Sequence, residues 1–190
     1  MTSLADKALA LDEALTTAGT PHAFGGALAL AFHIAEPRGT RDIDLNIFVP
    51  TNDARAVLDT LPNEVQWTER DVEQIQRDGQ VRVFWADTPV DLFFDTHPFH
   101  QLAATHTELV PFAGRMIPIL AADDLAVFKA FFDRTKDWAD IEAMIDVQSL
   151  DVHVVLGWLV DLLGGSDHRV TRLRGLIERG PQQHDPRFAP

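Results

Sequence analysis

An α/β (α+β) fold, a mixed sheet flanked by helices with a helical C-terminal part, is the class this sequence predicts. Three observations predict it. Short apolar stretches with strand character alternate with helix-spaced stretches up to about residue 121. The run Asp42-Ile43-Asp44-Leu45-Asn46-Ile47 alternates strictly, as a strand does. From Asp123 onward the apolar spacing is helical throughout.

Taken in order, Leu4, Ala8, Leu11 and Leu15 line one face of a helix over 4–18, and Gly19 is its stop signal. A short strand at 21–24 runs into Gly25-Gly26. A small-residue helix over 27–35 follows, ended by Pro37. The Asp-Ile-Asp strand covers about 41–49, and Thr51 or Asn52 offers a cap for a helix at 53–60. A strand at 64–68 and a helical turn or two at 71–77 come next. Paired strands at 80–85 and 90–94 follow, turned by Asp87-Thr88-Pro89, then a hairpin with arms 107–112 and 116–120. Helices are expected at 122–133, 137–147, 151–163 and 167–179, which sets a domain division at 1–121 and 122–190.

Composition bounds the function. The chain has 190 residues, 46% of them hydrophobic, enough for a core. It has no cysteine, which excludes disulfides, thiolate catalysis and zinc-thiolate sites. The first residues lack a basic region followed by an apolar run, and no stretch is long enough to span a membrane, so a cytoplasmic protein with no membrane partner is expected. The net charge of −13 argues against general nucleic-acid binding. The last 23 residues differ: five arginines against Glu178 and Asp185 give +3. They read either as a solvated last helix or as a landing site for an acidic partner or RNA backbone.

The chemistry is concentrated in the Asp-Ile-Asp strand. Asp42 and Asp44 point the same way from it, roughly 7 Å apart at their Cα atoms. Two like charges on one strand face call for a cation, and Mg²⁺ carrying a phosphate suits carboxylate oxygens. Gly25-Gly26, between a strand and a helix, would let backbone N–H groups approach a phosphate at a helix N-terminus. Taken alone, the glycine pair reads equally as a tight strand–helix turn. Val90-Asp91-Leu92 puts a single acid in an apolar strand, with Asp95 on the same face. Asp91 reads as a third metal carboxylate or as the partner of an arginine such as Arg38, Arg41 or Arg82. Three carboxylates beside a glycine turn are the parts of a site for phosphoryl or nucleotidyl transfer by in-line displacement.

Gly25-Gly26, Arg38-Gly39-Thr40-Arg41-Asp42-Ile43-Asp44-Leu45 and Val90-Asp91-Leu92 together resemble the core of the DNA polymerase beta-like nucleotidyltransferase superfamily. The Arg38-x-Thr40-x-Asp42-Ile43-Asp44 run is similar to its AbiEii-type branch, toxins of bacterial toxin–antitoxin and phage-defence systems. Asp124 to Lys129 and Arg134 to Ile141 resemble that branch's downstream helices, so the likeness covers about residues 20–145. It implies a Mg²⁺-dependent transfer of an NMP from an NTP to an acceptor hydroxyl. The acceptor would be tRNA, a protein or a small molecule, with a cognate antitoxin as a further partner. It implies metal binding by Asp42, Asp44 and Asp91, with Asp91 as general base. It also implies nucleotide contacts by Gly25, Gly26, Arg38, Thr40, Lys129, Lys136, Asp137 and Asp140. Other readings compete for the last group: Lys129 as a snorkelling side chain, Lys136 with Asp140 as a surface ion pair, and Asp137 as a first-turn acid.

The family often has Gly-Ser in its phosphate turn, where this chain has Gly26-Ala27. A Gly-Gly variant occurs in related branches, including antibiotic-modifying enzymes. An inactive nucleotide-binding module on the same scaffold and an antibiotic nucleotidyltransferase are therefore the alternatives. His97, His100 and His106 are expected on a loop or helix surface. Phe128, Phe131, Phe132, Trp138 and Trp158 are expected as core between helices.

Overall fold

The computed structural model describes residues 2–35 and 39–181. It divides into two compact units. The first runs through Phe32 and resumes for the stretch ending at Ala121; the second holds His33 and the segment from Ala122 onward.

The first unit is built on a seven-stranded mixed sheet. Its strands are β1 (His22–Phe24), β2 (Ile43–Pro50), β3 (Val65–Gln66), β4 (Gln80–Trp85), β5 (Thr88–Asp95), β6 (Glu108–Phe112) and β7 (Arg115–Ile119). Their order across the sheet is β3-β4-β5-β2-β1-β7-β6. The β2–β5 and β1–β7 pairs are parallel and the other neighbours antiparallel. Strand β1 meets β7 in a single register pair, Phe24 with Ile119. The helices of this part of the chain are α1 (Leu4–Thr17), α2 (Gly26–His33), α3 (Ala54–Thr60), α4 (Glu69–Asp78) and α5 (Pro98–Thr105).

Period-two patterning sets the core face. On β4, Val81, Val83 and Trp85 are buried; on β5, Thr88, Val90, Leu92 and Phe94 are. Ile43, Leu45 and Ile47 of β2 join them. Helix α1 starts with a Ser3–Asp6 capping box and buries Ala8, Leu11 and Leu15. Its buried Lys7 donates to the Trp85 carbonyl (3.0 Å) and the Thr88 hydroxyl (2.7 Å), which pins α1 to the β4–β5 hairpin.

Several boundaries differ from the sequence expectation. The β4–β5 turn is Ala86-Asp87, with Trp85 paired to Thr88, and not Asp87-Thr88-Pro89. Ala86 takes the left-handed conformation (φ 53°) that a two-residue hairpin turn demands. Pro89 is tolerated within β5 because the β2 ladder starts only at Val90, so no bond is lost on that side. Helix α4 is longer than two turns because Thr68 and Asp71 form a second capping box. The strand expected at 64–68 shrinks to two residues. Thr51–Asp53 form a 3-10 turn before α3, whose start has no side-chain cap bond. Helix α5 was not anticipated. Its cap is the unusual His97, whose Nδ1 accepts from the Phe99 N–H (3.2 Å), followed by Pro98 in the first turn. Helix α2 ends at His33, two residues before the expected limit of 35, and Pro37 lies outside the described residues.

The second unit contains α6 (Ala122–Phe132), α7 (Thr135–Asp146), α8 (Val152–Leu163) and α9 (His168–Arg179). Trp138 is buried, but Phe131 and Phe132 are each 40% exposed, so the aromatic set is not all core. Arg169 stacks over Phe131 (5.5 Å), Arg134 over Phe132 (4.8 Å) and Arg172 over Trp138 (4.7 Å). Other arginine bonds are also internal: Arg169 with Asp167 (2.9 Å), Arg174 with the Gly165 carbonyl (3.1 Å) and Arg179 with Glu142 (2.8 Å). The basic helix thus has partners within its own unit. Residues 182–190, including Arg187, lie outside the described residues.

Asp133 joins α6, α7 and α9. It accepts from Trp138 Nε1 (2.6 Å) and bonds His168 Nε2 (2.6 Å), and those two bonds hold its carboxyl below the usual carboxylate range. A depressed carboxyl stabilises the fold above its unfolded pKa, and that stability is lost as pH falls through the folded value. Asp133→Asn is therefore expected to lower Tm at pH 7, and the gap to wild type should close below about pH 4. Thermal melts across that range check this; a gap unchanged at pH 3 contradicts it.

Candidate active site

Strand register brings the charged residues together. In the parallel β2–β5 pair Asp44 lies directly opposite Asp91, and in the antiparallel β4–β5 pair Arg82 lies opposite Asp91. Arg82, Asp91 and Asp44 thus form one row across three adjacent strands, on the face opposite Val81, Val90 and Leu45. Asp42 precedes this strand on the same side as Asp44.

Arg82 grips Asp91 with a two-pronged bond: Nε donates to Oδ1 at 2.7 Å and Nη2 to Oδ2 at 2.6 Å. Nη2 is also 4.0 Å from Asp42 Oδ2. The bond to Asp91, with lesser attraction from Asp42 and Asp44, raises the guanidinium pKa above its ordinary value. Of the arginines considered beside Asp91, the structure pairs it with Arg82. Thr40 meanwhile hydrogen-bonds the Asp42 carboxylate through its hydroxyl, which also accepts from the Asp42 N–H (3.3 Å). Arg38 lies outside the described residues.

The glycine turn packs against the same strand. Gly25 N–H donates to the Asp44 carbonyl at 2.9 Å, extending the β1–β2 ladder by one bond. Gly26 opens α2 with φ 53°, and a Cβ there would sit 1.8 Å from Asp44 Oδ2. The absence of a side chain at 26 is what lets the Asp44 carboxylate lie at the N-terminus of α2, where the helix dipole favours negative charge. At Gly25 a Cβ would instead meet Asn46 Nδ2, the end of a side chain, at 2.7 Å.

Oxygen donors on one sheet face have the chemistry of a hard divalent cation site, so Asp42, Asp44 and Asp91 fit Mg²⁺ as a donor set. They are not drawn tightly together: among the described residues no three acidic or histidine side chains converge closely enough to ligate a metal. Between Asp91 and Asp42 the guanidinium of Arg82 supplies the positive charge.

The second-unit candidates lie elsewhere in the sequence and have local partners. Lys129 and Asp140 are both buried and form an ion pair at 2.7 Å. This replaces the expected surface pair of Lys136 with Asp140; Lys136 is exposed. Asp137 is buried and accepts from Arg134 Nε (2.6 Å) and the Arg134 N–H (3.3 Å), so it caps the start of α7. Of the expected histidine surface, His97 caps α5 and His100 lies within that helix.

With the sheet order, the glycine turn and the facing carboxylates described, solved structures can be compared. The fold is that of nucleotidyltransferases. It matches the solution structure of the antibiotic-resistance factor ANT(2'')-Ia with a TM-score of 0.52 and 14% identity, over 92% of this chain and 91% of that one. It matches the crystal structure of ANT(2'')-Ia in complex with adenylyl-2''-tobramycin with a TM-score of 0.52 and 14% identity, over 92% and 97%. An antigenic nucleotidyltransferase-like protein from Paracoccidioides brasiliensis matches with a TM-score of 0.51 and 17% identity, over 93% and 94%. No family model matches this chain, and no curated protein does.

On this nucleotidyltransferase fold, the residue missed as a site member in its own right is Arg82. Its signal was available: with a two-residue turn at Ala86-Asp87, residues 82 and 91 fall opposite each other.

Gly26→Ala is expected to cost about 3 kcal/mol, through its positive φ and the Asp44 contact, and Gly25→Ala about 1 kcal/mol. Urea unfolding of both variants checks the ranking; equal losses contradict it. Lys129→Met should cost about 3 kcal/mol by removing the buried cation that faces Asp140, while Lys129→Met/Asp140→Leu recovers most of that loss. The same unfolding experiment reads both.

Proposed function

We propose that this chain is a nucleotidyltransferase that moves an NMP from an NTP to an acceptor hydroxyl. The observation that carries this reading is the register of Asp44 against Asp91, beside the Gly25-Gly26 turn, on a nucleotidyltransferase fold.

In this reading the Gly26 N–H and the N-terminus of α2 face the NTP phosphates, while the Gly25 N–H stays on the Asp44 carbonyl. Asp42 and Asp44, with Asp91, would hold Mg²⁺, which when bound would supply Lewis-acid stabilisation of charge on the phosphoryl oxygens. Thr40 fixes the Asp42 carboxylate through the hydroxyl bond described above. Asp91 takes the proton of the acceptor hydroxyl as general base. The acceptor oxygen forms its bond to the α-phosphorus as the bond to the β-phosphate oxygen breaks, pyrophosphate leaves, and Asp91 passes its proton to solvent. The proposal keeps Arg38, Lys129, Lys136, Asp137 and Asp140 as nucleotide contacts, for which Lys129 would exchange Asp140 for a phosphate.

A small-molecule hydroxyl is the acceptor class the charge pattern favours. The net charge is −13, and the C-terminal helix commits Arg169, Arg174 and Arg179 to partners within the protein. Both features disfavour an RNA backbone and suit a cationic acceptor. ANT(2'')-Ia, whose structure was solved with adenylyl-2''-tobramycin, sets the example for an antibiotic acceptor. The second reading, a toxin acting on tRNA with a cognate antitoxin, rests on the Arg38-x-Thr40-x-Asp42-Ile43-Asp44 run of the AbiEii-type pattern.

The test is transfer from each α-labelled NTP with Mg²⁺, offered aminoglycosides or total tRNA. Wild type is expected to label one acceptor class. Asp42→Ala/Asp44→Ala should lower the rate by at least about a thousandfold. If wild type and the double variant behave alike with every NTP and acceptor, the enzyme reading fails. Metal-independent NTP binding by calorimetry would then identify an inactive nucleotide-binding module.

A further inference from the structure

We propose that Arg82 is a built-in counter-ion of the carboxylate face, occupying Asp91 until a divalent cation takes over the charge. The inference rests on the nucleotidyltransferase reading of the site and adds to it a positioning residue that competes with the metal.

Three observations carry it. Both Asp91 oxygens accept from the guanidinium, at 2.7 and 2.6 Å, so the sides of the carboxylate that face Arg82 are committed. The third contact, Nη2 at 4.0 Å from Asp42 Oδ2, sets the guanidinium between Asp91 and Asp42. Finally, the side chains differ in freedom: Asp91 is 15% exposed, on a central strand, whereas Arg82 is 52% exposed. The arginine can swing into solvent and the acid cannot.

Mg²⁺ demands close oxygen ligands in a near-octahedral shell. A guanidinium forked onto a carboxylate opposes that coordination by charge and by position. Without any cation, three carboxylates on one face would repel one another. Arg82 therefore has two opposite effects. It stabilises the metal-free protein and weakens its affinity for the divalent ion. With a cation in place Arg82 would give up Asp91, and the acid would then be available to the acceptor hydroxyl.

Loss of a positive charge alone favours a divalent ion, so a variant that keeps the charge and loses the fork separates the two roles. The full chain is titrated with Mn²⁺, read by the electron paramagnetic resonance of the free ion, and melted with and without Mn²⁺. Arg82→Gln is expected to lower the Tm of the metal-free chain, to bind Mn²⁺ about tenfold more tightly, and to regain its Tm with Mn²⁺. Arg82→Lys, which keeps the charge but not the fork, should bind about threefold more tightly, and it serves if Arg82→Gln does not fold. In an Asp91→Asn background the Arg82→Gln gain should vanish.

If the Arg82 variants bind Mn²⁺ no more tightly than wild type, or more weakly, the inference is overturned. When wild type still transfers an NMP in an Asp42- and Asp44-dependent way, the nucleotidyltransferase reading survives that result. If neither wild type nor the Arg82 variants bind Mn²⁺ and no NTP is turned over, both fall together.

Discussion

The parallel pairing of β2 with β5 is the constraint on which the site depends. It sets Asp44 beside Asp91, and a slip of one residue would turn one of them into the core. The slip is prevented from the other face, where Ile43, Leu45 and Ile47 lie beside Val90, Leu92 and Phe94 and all six are buried. The apolar residues therefore fix where the charged ones stand. The antiparallel β4–β5 ladder then adds Arg82 to the same row.

A site assembled this way places negative charges close together, and the surrounding structure offsets them differently. Asp44 lies against Gly26, at the positive end of α2. Asp42 bonds the Thr40 hydroxyl. Asp91 is held by Arg82. The Asp91 pair has a half-exposed partner, and it involves the acid with the proton-accepting role in the proposed reaction. In the second unit the buried Lys129 meets Asp140, and the exposed Arg134 at the start of α7 meets Asp137.

Much of this was legible in the sequence because short-range physics decides it. Alternation identified the Asp-Ile-Asp strand, and a lone acid among apolar residues singled out Asp91. The hairpin register was less legible. Reading Asp87-Thr88-Pro89 as the turn shifts the pairing and hides Arg82, because Pro89 signals a turn, while its place beyond the β2 ladder, which makes it acceptable in a strand, is a tertiary fact. Helix α5 escaped because histidine is an uncommon cap. Partner choice was least legible: Asp140 lies four residues from Lys136 in sequence but bonds Lys129, eleven residues back on another helix. Arginines that suggest a binding surface as a list can be engaged inside the fold, as Arg169 is with Asp167 and Phe131.

Strand β1 is only three residues long, yet it is the seam between β3-β4-β5-β2 and β7-β6. It pairs with β2 at three positions and with β7 at one, supplemented by the Leu120 N–H bond to the Phe24 carbonyl. The β6–β7 hairpin is more exposed than the central strands, with Leu109 67% and Met116 53% accessible. Cooperative opening in a protein follows such thin junctions. Within the sheet the hairpin thus reaches β2 and β5, the strands that carry Asp44 and Asp91, through β1. Opening that begins at this edge has to pass β1 before it reaches the row of carboxylates.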